Sequence, residues 1–112
     1  MPRSCRPSIR VAAMALLGVA LVGAHSAYAL PADSAHGGEL AKRWCAACHV
    51  VSADQKQGGD TAPAFATIAK KPGFDADRIS QFLMDPHPKM PDMQLTRDET
   101  KDLGAYIAGL AK

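Results

Sequence analysis

The stretch WCAACHVV, residues 44 to 51, puts two cysteines three positions apart and a histidine directly after the second. Two thiols at this spacing suit a redox disulfide or half of a zinc site, and the adjoining histidine adds a third chemistry, covalent attachment of haem. Each would impose a different fold. A thioredoxin-like disulfide belongs to a βαβ setting, a structural zinc wants a second pair of ligands, and haem would add a large apolar macrocycle to the core. The rest of the chain discriminates between them.

The N-terminus is read first, because a segment removed before folding does not count towards composition. Arg3, Arg6 and Arg10 form a positive region, Val11 to Ala24 is an unbroken run of apolar residues and glycines, and Ala27-Tyr28-Ala29 fits the small-x-small rule of signal peptidase. Residues 1 to 29 are therefore expected to be a cleaved secretory signal, with residues 30 to 112 as the mature domain. The apolar run is shorter than the roughly 20 residues that span a bilayer, so no membrane span is expected after cleavage. Cys5 leaves with the signal, and Cys45 and Cys48 alone remain. Three of the 13 basic residues leave too, so ten face 11 acidic ones, for a net charge of −1 with neutral histidines. No basic stripe argues for a nucleic-acid partner.

What remains makes one small domain with few bulky core residues. Domains near this length bury only about 60% of their unfolded surface and often need a staple or a cofactor. A disulfide between Cys45 and Cys48 would close too small a loop to serve. A large apolar macrocycle would supply the missing core.

Helical periodicity runs through the chain, and strand-like alternation is absent. Residues 36 to 48 predict a helix with Leu40, Trp44 and Ala47 on its buried face. Residues 50 to 64 read as an irregular loop, with a short helix after Pro63. Asp75 caps a third helix carrying Ile79, Phe82 and Leu83 on one side, with Met84 as packing or rim, and Pro86 stops it. The segment PHPKMPDMQL, residues 86 to 95, has three prolines in ten and stays extended and stiff. Thr96 and Glu99 form a capping box, and Leu103, Tyr106, Ile107 and Leu110 give the stripe of a last helix. Gly104 and Gly109 within it imply a close crossing with the helix at 36 to 48.

Two cysteines at this spacing reach the two vinyl groups of haem as thioethers, which leaves the following histidine beneath the porphyrin plane as an axial ligand. Cys45 and Cys48 are the attachment residues and His49 the proximal ligand in this reading. The motif ending a helix, APAF downstream, the proline-bounded KMP and a final helix with DLGAYI resemble the class I c-type cytochromes over nearly the whole mature chain. The resemblance implies an all-α bundle of about four helices around one covalent haem c. It also implies that the Pro63 carbonyl accepts the proximal imidazole N–H.

Family members carry the distal methionine in a proline-adjacent loop, sixteen or seventeen residues before an aromatic on the last helix. Met90 precedes Tyr106 by sixteen and Met93 by thirteen, so Met90 is favoured, with Met93 and His87 as alternatives. Tyr106 matches the aromatic at the contact of the terminal helices. Ala41 stands where many members have a bulky residue, and Trp44 is expected to fill that volume.

The function so implied is a periplasmic, monomeric carrier of single electrons that docks transiently on redox partners, without substrate chemistry. The alternatives are the haem subunit of a periplasmic dehydrogenase complex, or a five-coordinate haem that senses ligands or activates peroxide. Lys42, Lys56 and Lys89 are candidates for a local positive rim. Intact-mass analysis of the exported protein should give a chain beginning at Leu30. A species that keeps Arg3 and the apolar run would mean a membrane-tethered protein instead.

Overall fold

The computed structural model describes residues 29–56, 58, 62–85 and 88–112. The expected signal as far as Tyr28, together with Pro86 and His87, lies outside the described residues. Four α-helices, and no strand among the described residues, make up the fold: α1 (Ser34–Leu40), α2 (Phe65–Ala69), α3 (Ala76–Met84) and α4 (Arg97–Gly109).

Helix α1 starts at Asp33, whose carboxylate accepts from the N–H groups of Ala35 and His36 and so satisfies two of the donors that a helix start leaves unpaired. It does not run on as an α-helix to residue 48. From Ala41 to Cys45 it widens into a π-helical turn, closed by the Ala46 N–H donating to the Ala41 carbonyl at 3.1 Å. This extra residue per turn changes which side chains face inward. Leu40 is buried as expected, but the buried positions beyond it are Ala41 and Cys45, at 0% and 4% exposure, whereas Trp44 is 45% exposed and Ala47 is also exposed. Trp44 therefore does not fill the volume beside Ala41. Its ring lies under the Arg43 guanidinium, 4.8 Å from its centroid.

The terminal helices cross as expected, but through different glycines. A Cβ on Gly37 would fall on the Asp102 carbonyl oxygen, and one on Gly38 would stand 3.0 Å from Cε2 of the Tyr106 ring. The helix-weakening pair Gly37-Gly38 thus buys contact between the α1 backbone and α4. Gly104 faces the start of α3 instead, where a Cβ would meet the Ala76 carbonyl oxygen at 2.6 Å, and Gly109 faces open space. Periodicity gives a helix's buried stripe but not which neighbour a small residue admits.

Polar ties reinforce both helix contacts. The Asp102 carboxylate on α4 accepts from the Asp33 N–H at 2.6 Å and pairs with His36 Nδ1 at 2.8 Å. The hydrogen bond to Asp102 raises the His36 pKa above its ordinary value. The folded state thus favours protonated His36, and this contribution is complete at low pH and fades as pH rises through the raised value. Between α3 and α4 the buried Thr100 hydroxyl donates to the Arg97 carbonyl and accepts from Ser80 Oγ, both at 2.9 Å.

Helices α3 and α4 begin as their sequences predict. Asp75 accepts from the Arg78 N–H at 2.9 Å, and Thr96 and Glu99 exchange both bonds of the capping box. Leu103 and Ile107 on α4 reach the core formed with Leu40, Ala41, Cys45, Val51, Phe65 and Ala69.

Chemical denaturation should separate the glycines. Gly37→Ala should destabilise by about 1–3 kcal/mol, because the added methyl group forces the helices apart. Gly109→Ala should be neutral or stabilise by up to about 1 kcal/mol, through the unfolded chain's lost freedom.

Candidate functional site

Cys45 closes the π turn with its thiol turned inward, and burial, followed by the neighbouring Cys48, pushes its pKa up to about 11. Cys48 is exposed, and both thiols are free. Among the described residues, no three His, Cys, Asp or Glu side chains converge as a metal site.

The N–H groups of Cys48 and His49 both donate to the Cys45 carbonyl, at 3.1 and 2.9 Å, so the motif folds back on itself as a tight turn. The chain then returns along the same region: the Phe65 N–H donates to the Val50 carbonyl at 2.9 Å. That pairing brings Pro63 beside the histidine. His49 Nδ1 lies 2.6 Å from the Pro63 carbonyl oxygen, which has no proton to give, so Nδ1 carries the hydrogen and in the neutral ring Nε2 keeps the lone pair. The Phe65 ring flanks the imidazole, with centroids 5.2 Å apart and planes tilted by 50°.

Two cavities adjoin this imidazole. The first, about 280 Å³, is lined by Trp44, Cys45, Ala47, Cys48, His49, Ala62, Pro63, Lys89, Met90, Pro91 and Met93. The second, about 310 Å³, is lined by His49, Pro63, Phe65, Ile68, Lys71, Ile79, Phe82, Leu83, Met90 and Ile107. His49, Pro63 and Met90 belong to both, and Met93 to the first alone. A free imidazole nitrogen, a thioether sulfur, two cysteine sulfurs and mostly apolar walls form the donor set and setting that a flat, covalently held iron macrocycle requires.

The loop that carries Met90 is shaped by its own sequence. Beyond Pro91, Asp92 Oδ1 accepts from the Gln94 N–H at 2.8 Å, an Asx turn that holds Gln94 in the left-handed region at φ 52°. Met84, expected to pack or to lie at the rim, is exposed, and Phe82, expected on the packed face, is 43% exposed and lines the second cavity.

Several contributors were not singled out by sequence. The Gln55 side chain accepts from the Val51 N–H at 2.9 Å and donates to the Ala46 and His49 carbonyls at 3.0 and 2.9 Å. Nothing in the polar stretch SADQKQ distinguishes that glutamine from its neighbours. Lys71, not Lys42 or Lys56, joins Lys89 in the cavity walls, while Lys42 pairs with Glu39 at 3.4 Å. The Tyr106 hydroxyl donates to the Val51 carbonyl at 2.8 Å, which fastens α4 to the chain just past the motif.

A model of the family described as Cytochrome c matches residues 34–111. The chain is similar to cytochrome c-552 of Bradyrhizobium diazoefficiens, with 48% identity over 92 residues that cover 82% of this chain and 88% of that protein. No solved structure gives a significant match.

Proposed function

The chain belongs to the cytochrome c family, electron carriers with covalently attached haem c, and on that premise we propose that it is a periplasmic monohaem carrier of single electrons with His49 and Met90 as its iron ligands. Cys45 and Cys48 hold the haem as thioethers, residues 1 to 29 are removed on export, and the mature chain works as a monomer. No helix among the described residues is long and apolar enough to cross a membrane.

The observation that carries this reading is the state of the His49 ring. One nitrogen is committed to Pro63 at 2.6 Å, and the ring stands where two apolar-walled cavities meet, with Met90 the methionine common to both. When bound, haem supplies an iron that gains or loses one electron. This chain's residues determine how readily that happens. The Pro63 carbonyl fixes the tautomer of His49 and makes its ring a more basic ligand. Met90 offers a neutral thioether, and His/Met sets raise the potential. Phe65, Ile68, Ile79, Leu83 and Ile107 give the second cavity an apolar wall, which disfavours additional charge there.

The redox partners dock transiently. A carrier must release quickly, and electron-transfer encounters use small interfaces. With a net charge near −1, long-range steering is weak, and Lys71 and Lys89 beside the cavities supply local complementarity instead.

Acid-acetone extraction should leave the colour with the protein, and colour in the solvent would refute attachment through Cys45 and Cys48. Met90→Ala should abolish the far-red methionine-to-ferric-haem absorption band, lower the reduction potential and open the iron to cyanide. Met93→Ala should retain the band. Reversed outcomes would transfer the role to Met93, and a wild type without the band would point to His87 or an open site.

A further inference from the structure

Gln55 has a role that packing does not account for. Its amide is oriented by its partners: the Val51 N–H demands the oxygen, and the Ala46 and His49 carbonyls demand the nitrogen, so one flip state satisfies all three bonds. Those partners straddle the motif. Ala46 lies between the two cysteines, His49 carries the ring, and Val51 begins the exit.

The backbone of His49 is consequently held at both ends. Its N–H donates to the Cys45 carbonyl at 2.9 Å, and its carbonyl accepts from Gln55 Nε2 at 2.9 Å. The chain that follows is pinned from outside by the Phe65 N–H on the Val50 carbonyl and by the Tyr106 hydroxyl on the Val51 carbonyl. Gly58 lies against the same backbone, where a Cβ would stand 2.8 Å from the Val50 nitrogen. Gln55 supplies the restraint from within the loop, bonding the turn that contains His49 to the chain just beyond it.

We infer that Gln55 is a positioning residue for the proximal ligand, setting the place from which the His49 ring reaches Pro63 and hence the strength of the Nδ1–H donation. This rests on the reading of His49 as an iron ligand. The 2.6 Å separation at Pro63 is short for a nitrogen donor, and a bond of that kind weakens steeply as distance and angle relax. A less firmly held Nδ1–H makes the imidazole a less basic ligand, which favours the ferrous over the ferric state. Loss of the Gln55 amide should therefore shift the potential upward. General loosening that admits water would shift it downward, by stabilising the charged ferric state.

The test compares wild type, Gln55→Leu and Gln55→Glu as haem-loaded proteins. The readouts are the exchange rate of the His49 Nδ1 proton, followed by NMR in the ferrous state, and the reduction potential. Gln55→Leu removes all three bonds and should speed that exchange roughly tenfold or more, the equivalent of one lost hydrogen bond. Its potential should rise. Gln55→Glu keeps the acceptor for Val51, loses both donations when ionised and regains one when protonated. Its His49 Nδ1 proton should therefore also exchange faster than in the wild type.

Wild-type exchange and potential in both variants, however far their melting temperatures fall, would reduce Gln55 to a loop tie and overturn the inference. A potential that falls in both variants would overturn it as well. If the His49 ring protons of the ferric wild type show no hyperfine shift, the ligand reading itself fails and the inference fails with it. A mere loop tie leaves that shift intact, which separates the two failures.

Discussion

The hydrogen bond between His49 Nδ1 and the Pro63 carbonyl is the constraint on which the remaining structure depends. It joins the end of the first helical segment to the entrance of the second, across a loop of little regular structure. Proline fixes its own backbone φ, which stiffens the stretch of chain that presents this carbonyl to the ring. The adjoining Phe65 N–H on the Val50 carbonyl keeps the two strands of chain in register, and the Phe65 ring then packs beside the imidazole. One ring nitrogen is thereby spent on the protein, and the other remains for a ligand.

Holding that bond requires a frame, which the crossing of α1 and α4 provides. Gly37 and Gly38 let the α4 backbone and the Tyr106 ring close on α1, and the Tyr106 hydroxyl then reaches the Val51 carbonyl two residues beyond His49. Asp102 ties the opposite end of the crossing through Asp33 and His36. The terminal helices are thus more than a hydrophobic pair, because one tyrosine couples their packing to the placement of the imidazole.

Much of this was legible in the sequence, for local reasons. Asp75, Thr96 and Glu99 act on backbone groups within three residues, so their spacing is the structure. The stripe of α4 reads correctly because Leu103 and Ile107 lie in an uninterrupted α-helix. The same reasoning misplaces Trp44, since a π turn changes the period in mid-helix and no residue in AKRWC announces it. Gly104 and Gly109 are conspicuous in sequence, but only contact in three dimensions assigns Gly104 to α3 and leaves Gly109 idle. Gln55 is invisible for a related reason. Its value lies in meeting three backbone groups left unpaired where the motif leaves the helix, and those groups are defined by the fold.

The distribution of apolar side chains joins stability to function. Among the described residues, the buried hydrophobic core comprises just eight side chains, two of them alanines and one the Cys45 thiol. Phe82, Ile79, Leu83 and Ile68 instead turn towards the second cavity, and Trp44, Met90 and Met93 towards the first. A chain of this length does not spare large apolar residues for solvent without cost, because each such side chain gains about 1.5–3 kcal/mol only when it is covered. The cavity walls are therefore the unfinished half of a core, with the covalent macrocycle as the body that completes it. On the proposed reading, the contacts that stabilise the fold are the same ones that keep water from the iron. A substitution in those walls would then alter stability and potential together, whereas one at the α1 and α4 crossing would act first on stability and reach the iron only through Tyr106 and Val51.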